Sequence, residues 1–139
     1  MPPKDSDDMN LWEKLSKNSY PGILCGIAIL ILTGFPGSAF PRVKPIVGLD
    51  KVAHFLMFAC FAFACIWGYR KQFVTNGIAY KKRALLLTLA ISIAYGGLTE
   101  LMQDFFVPLR TGDWLDFLAD SIGTLLGLFV FYLFFRHTK

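Results

Sequence analysis

Four runs of about twenty mostly apolar residues dominate this 139-residue chain, at 20–40, 50–69, 84–106 and 113–135. About twenty such residues is the length that carries an α-helix across the hydrocarbon core of a bilayer. Leu and Phe prevail in each run and the strong breakers fall between runs. The alternation that a closed β-barrel requires is absent, so the runs predict helices. Hydrophobic residues make up 55% of the chain, more than a small soluble core requires. The expected architecture is therefore all-α. It is a four-helix transmembrane bundle, with 1–19 as an N-terminal interfacial segment and 20–139 as one four-span membrane domain. Leu11, Trp12 and Leu15 recur at helical spacing and suit a short helix lying in the interface.

Gly37-Ser38-Ala39 resembles a signal-peptidase site. Three further spans follow it, so the first span is expected to be retained. Charge sets the expected orientation. Lys4, Lys14, Lys17, Arg70, Lys71, Lys81, Lys82, Arg83, Arg136 and Lys139 fall on one side, and Arg42, Lys44, Lys51 and Arg110 on the other. Ten against four places both termini and the 70–83 loop in the cytoplasm. The net charge of +4 is thus spent on topology, and no basic patch points to nucleic acid. Cys25, Cys60 and Cys65 lie inside apolar runs without metal-ligand spacing and read as packed thiols. Gly22/Gly26 and Gly123/Gly127 each form a GxxxG, expected to pack helices within one bundle.

Against this background the acidic residues are unevenly placed. Glu100, Asp104, Asp113, Asp116 and Asp120 are five of the ten carboxylates, gathered where the third and fourth runs meet. At about 1.5 Å per residue, Glu100 and Asp120 each lie about 9–10 Å inside the outer ends of their runs, and His54 about 6 Å inside its own. Three helices thus bring ionisable groups to one level. Glu100, Gln103 and Asp104 share a face, as do Asp113, Asp116 and Asp120, and as do Asp50 and His54. The cost of charge near lipid turns these faces inward. Simpler roles suffice for several of these residues. Asp50 and Asp113 follow glycine-containing turns and are expected N-caps. Asp104 is expected at the interface, Pro108 is expected to stop the third helix, Trp114 to anchor at the interface, and Lys51 to snorkel. Glu100, Asp120 and His54 lie too deep for such roles and are the candidate catalytic residues. The layer could exchange protons, hold a divalent cation, or grip an anionic ligand through Arg110 and Lys51. Spacing selects none of these, and no cofactor and no metal is assigned. No P-loop, GxGxxG or HExxH is present.

The segments "LDKVAHFLMFACFAF" and "YGGLTELMQDFFVPLRTGDWLDFLADSIGTLLG" resemble the VanZ-like family of small bacterial membrane proteins. The family pattern is roughly DKxxHxxxF, then ExxQ, an Arg after a short loop, and DxxxNxxGxxxG. Carried onto this chain, it marks Asp50, Lys51, His54, Phe58, Glu100, Gln103, Arg110, Asp116, Asp120, Gly123 and Gly127. Asp120 stands where the family more often has Asn, which adds a charge to the layer. The resemblance implies a multi-pass protein of the bacterial cytoplasmic membrane. It implies an outward polar pocket for a lipid-linked or cell-wall component, and low-level resistance to the glycopeptide teicoplanin. The ligand-binding residues so implied are Asp50, Lys51, His54, Glu100, Gln103, Arg110, Asp116 and Asp120. Two other classes stay open: a membrane-embedded hydrolase or transferase on phospholipid or polyprenyl-linked substrates, and a structural subunit of a membrane complex. The sequence leaves oligomeric state open.

Overall fold

A computed structural model describes residues 11–35, 48–108 and 111–136, with side chains from residue 18 onward. Five helices follow one another: α1 Leu11–Gly34, α2 Leu49–Trp67, α3 Arg70–Thr75, α4 Ile78–Phe106 and α5 Trp114–Phe135. No strand occurs among the described residues. Three of the helices, α2, α4 and α5, are long and apolar enough to cross a membrane, and α1 contains a shorter apolar stretch, Asn18–Gly34. Residues 36–40, where the first run was expected to end, lie outside the described residues.

Two expectations about local structure change. The interfacial helix and the first span were expected to be separate, yet α1 runs without a break from Leu11 through Pro21 to Gly34. The 70–83 stretch was expected as a loop, yet most of it is helical, shared between α3 and the start of α4. The reason lies in Phe73, which is fully buried against Ala62, Ile66, Leu128 and Phe131. Its ring meets that of Phe131 edge-on, at a centroid distance of 5.1 Å. Burying that ring requires the chain to turn back tightly, and Asn76 ends α3 by returning its side-chain amide to the Gln72 carbonyl.

Helix α4 is inside-out relative to one in a soluble bundle. The buried residues of α4 are Thr88, Ser92, Gly96, Thr99, Glu100 and Gln103, while Leu86, Leu87, Ile91, Leu98, Leu101 and Phe105 of the same helix face outward. Lipid is as apolar as Leu, so the large aliphatic side chains gain nothing by turning inward. Small and polar residues instead let helices approach and satisfy one another.

α2 and α5 form the closest pair. A Cβ at Gly123 would run into the Phe55 carbonyl, and one at Gly127 into the Ala59 carbonyl. The two glycines are one turn apart, so only hydrogen at both positions permits this approach. At the other GxxxG, Gly22 lies against Cys65, and Gly26 against Phe61 and Tyr95. Both motifs therefore pack within the chain, as expected. The Tyr95 hydroxyl donates to the Gly26 carbonyl at 2.7 Å, tying α4 to α1. Tyr95→Phe keeps the ring but removes that bond, and should cost about 1 kcal/mol. A Tm in detergent indistinguishable from wild type would show that the bond contributes nothing. Of the cysteines, Cys25 and Cys65 are partly buried, whereas Cys60 is exposed on the bundle's outer surface rather than packed.

Candidate functional site

α2 supplies Lys51 and His54, one turn apart near its start. α4 supplies Glu100 in its last two turns, and α5 supplies Asp113, Asp116 and Asp120 from its cap inward. The turn between α4 and α5 sets the last two helices in register. Val107 leaves the helix in an extended conformation before Pro108, as the residue before a proline prefers. The chain then returns so that the Asp113 backbone N–H donates to Glu100 Oε2 at 2.9 Å. Asp113 is the N-cap of α5, its Oδ1 accepting from the Leu115 N–H at 2.9 Å, as expected. The expected capping role of Asp50 is not observed. Gly48 occupies the N-cap of α2, with φ at 92°, and Asp50 falls in the first turn, exposed.

Two polar groups result. In the outer one, Lys51 Nζ donates to Asp113 Oδ2 at 2.8 Å and to Asp116 Oδ1 at 2.9 Å. Lys51 was expected to snorkel. Two carboxylates from α5 instead draw its ammonium across the helix interface. The hydrogen bonds from Lys51 and from the Leu115 N–H hold the Asp113 carboxyl below the ordinary carboxylate range. Asp116, in the first turn of α5, is buried. Lys51→Met strands Asp116, and leaving a buried acceptor unpaired costs about 1–3 kcal/mol. Combined with Asp116→Leu it should cost less than the sum of the two single changes, and strict additivity in a thermal-unfolding cycle would mean the pair is not coupled.

The inner group holds the three residues that resisted simpler roles. His54 Nδ1 lies 3.0 Å from Asp120 Oδ1 and 3.6 Å from Glu100 Oε1. His54 is 2% exposed, Asp120 1% and Glu100 8%. Among the described residues, Glu100 Oε1 and Asp120 Oδ2 have no hydrogen-bond partner, and both are buried. Gly96 makes room for this arrangement, because a Cβ there would stand 3.2 Å from Asp120 Oδ2. Asp50, His54 and Asp116 also bring donor atoms within 4.8 Å of one another, joining the two groups at the rim.

The expected face of α4 divides. Gln103 is buried and its Nε2 donates to the Thr33 carbonyl of α1 at 3.3 Å, whereas Asp104 is exposed. Trp114 is exposed, as an interface anchor would be. Arg110 lies outside the described residues. Missed from the sequence were Asp113 as a partner of Lys51, Gly96 as the space for Asp120, and the buried polar stripe of Ser92, Thr99 and Thr124. Thr124 follows Asp120 by one turn, and Ser92, Gly96 and Glu100 recur every fourth residue. That spacing was a readable signal.

Away from the cluster, a groove of about 590 Å³ opens between α1 and α4. It is lined by apolar residues such as Ile23, Ile27, Leu87 and Ile91, with Arg83 among its lining, and contains none of the cluster residues.

A family model described as VanZ/LLP1 matches residues 6–135. An uncharacterized protein of Schizosaccharomyces pombe is 27% identical over 110 residues, covering 79% of this chain and 62% of that protein. The chain thus spans less than two thirds of that relative's length. No solved structure matches.

Proposed function

The chain belongs to the VanZ/LLP1 family, and on that premise we propose that it is a four-span protein of the bacterial cytoplasmic membrane with both termini inside. Its polar cluster opens toward the outer face and binds a lipid-linked or cell-wall component. The observation that carries this reading is the convergence of His54, Glu100 and Asp120 from three helices, with two buried carboxylate oxygens unpartnered among the described residues. Leaving each such acceptor unpaired costs about 1–3 kcal/mol, which a ligand donating to it would recover.

The donor inventory narrows the ligand. Lys51 is already engaged by Asp113 and Asp116, so the described part of the cluster is rich in acceptors. Such a surface takes hydroxyls or an ammonium group directly. It takes a phosphate only through Arg110 or a bridging cation. An amino sugar, a sugar hydroxyl or an amine-bearing headgroup on a lipid anchor fits this description, and modest glycopeptide resistance would follow from sequestering such a component.

Glu100→Gln tests the reading with little risk to the fold, because the amide oxygen can still accept from the Asp113 N–H. Mass spectrometry of the purified protein is expected to show a lipid-linked component with wild type and its loss with Glu100→Gln. Deletion of the gene should also lower teicoplanin resistance in a permeable strain. An identical set of bound lipids in both proteins would overturn the reading. A second reading, an acid–base enzyme, draws on the imidazole placed between two carboxylates. It requires Glu100→Gln and His54→Ala to change cellular lipid or wall-precursor profiles.

A further inference from the structure

We propose that His54, Glu100 and Asp120 form a binding site for a first-row divalent transition ion of the Zn²⁺ or Mn²⁺ type. The two distances from His54, one of them a hydrogen bond in this structure, match those between ligands around one ion. Metal–N and metal–O bonds of about 2.0–2.2 Å place two donors about 3.0 Å apart at a right angle and about 3.4 Å apart at a tetrahedral one. His54 Nδ1 lies 3.0 Å from Asp120 Oδ1 and 3.6 Å from Glu100 Oε1. One donor atom from each of the three residues falls within 4.8 Å of the other two, and all three residues are buried.

The second observation is independent of spacing. Among the described residues, Glu100 Oε1 and Asp120 Oδ2 are buried without a hydrogen-bond partner, and Asp120 packs in the space that Gly96 leaves. Charge leads to the same place. Among the described residues, the lysine at this level, Lys51, is taken by Asp113 and Asp116. Glu100 and Asp120 are left with a shared imidazole. With both carboxylates ionised, one imidazole offsets at most one negative charge, and a divalent ion would balance the set.

The donor set selects the ion. Imidazole with carboxylates suits Zn²⁺, Mn²⁺ or Fe²⁺, whereas Ca²⁺ and Mg²⁺ favour all-oxygen shells. Three protein ligands leave at least one coordination position for an outside group, as in catalytic rather than structural sites. The proposed lipid-linked ligand would occupy that position, a step that rests on the proposed function. Binding of the ion itself does not.

The test is metal analysis of the full chain in detergent, stripped with chelator and reloaded with Zn²⁺ or Mn²⁺ alone. Wild type should take up about one ion per chain, and its Tm should fall with chelator and recover with the ion. Changes to residues around a site cost about 10–100-fold in affinity. Glu100→Gln, His54→Ala and Asp120→Asn remove ligands and should cost at least the upper end. Tyr95→Phe, outside the cluster, should retain the ion. Should the cluster variants fail to fold, the chelator and reloading response of wild type alone decides. No uptake by wild type at millimolar ion, with an unchanged Tm, would overturn the proposal, as would equal uptake by all three cluster variants. Retained ion with no bound lipid would sink the proposed function and leave this inference standing.

Discussion

Gly123→Val is expected to separate α2 from α5 and lower the Tm in detergent by about 10 °C or more, following a loss of about 3 kcal/mol. Overpacking of a core typically costs about 1–3 kcal/mol. The upper end applies because the obstacle is the Phe55 backbone carbonyl, which cannot rotate away as a side chain would. Gly127→Val meets the Ala59 carbonyl in the same way. The damage should reach the site as well, because α2 carries Lys51 and His54 and α5 carries their partners. Gly97→Ala serves as the control. Its new methyl would meet only Phe117, at an ordinary 3.7 Å, and alanine is the better helix former by about 1 kcal/mol. If Gly123→Val melted within about 2 °C of Gly97→Ala, the close contact between α2 and α5 would be wrong.

His54→Leu is expected to cost about 3–5 kcal/mol, the range for removing one partner from a buried charged set. The imidazole stands between Asp120 and Glu100, and leucine would leave two buried carboxylates facing each other across an apolar side chain. Adding Asp120→Asn to His54→Leu should therefore recover part of the loss, because it removes a negative charge and keeps the shape. The double variant is then more stable than His54→Leu alone, a reversal that simple loss of packing does not produce. Equal Tm values for the single and double variants would show that charge at Asp120 is not what His54 compensates.

How much of this could be read from the residues depends on direction. Position along a helix axis accumulates at a constant rise, so the depths of His54, Glu100 and Asp120 followed from counting, and the structure brings those three together. Local chemistry was equally legible where only neighbours matter. Asp113 caps α5, and Val107 ends α4 before Pro108. Rotation about the axis was less legible. Glu100, Gln103 and Asp104 share a helical face, but only the structure turned Asp104 outward and Gln103 onto the Thr33 carbonyl. In water, hydrophobicity marks the inward face. Here both lipid and neighbouring helices are apolar, so the marker was instead the stripe of Thr88, Ser92, Gly96 and Thr99.

The residues alone determined an all-helical chain, apolar enough for a bilayer, with a layer of ionisable groups at one depth and glycines that let helices meet. Tertiary structure decided which carboxylate answers which cation. Lys51 reaches Asp113 and Asp116 rather than solvent. His54 reaches Asp120 and Glu100, and Phe73 folds the 70–83 stretch back onto the bundle. Depth is a sum over one helix and can be counted. Pairing depends on how two helices are rotated against each other, and that is set across the interface, at the contacts of Gly123 and Gly127 with the backbone of α2.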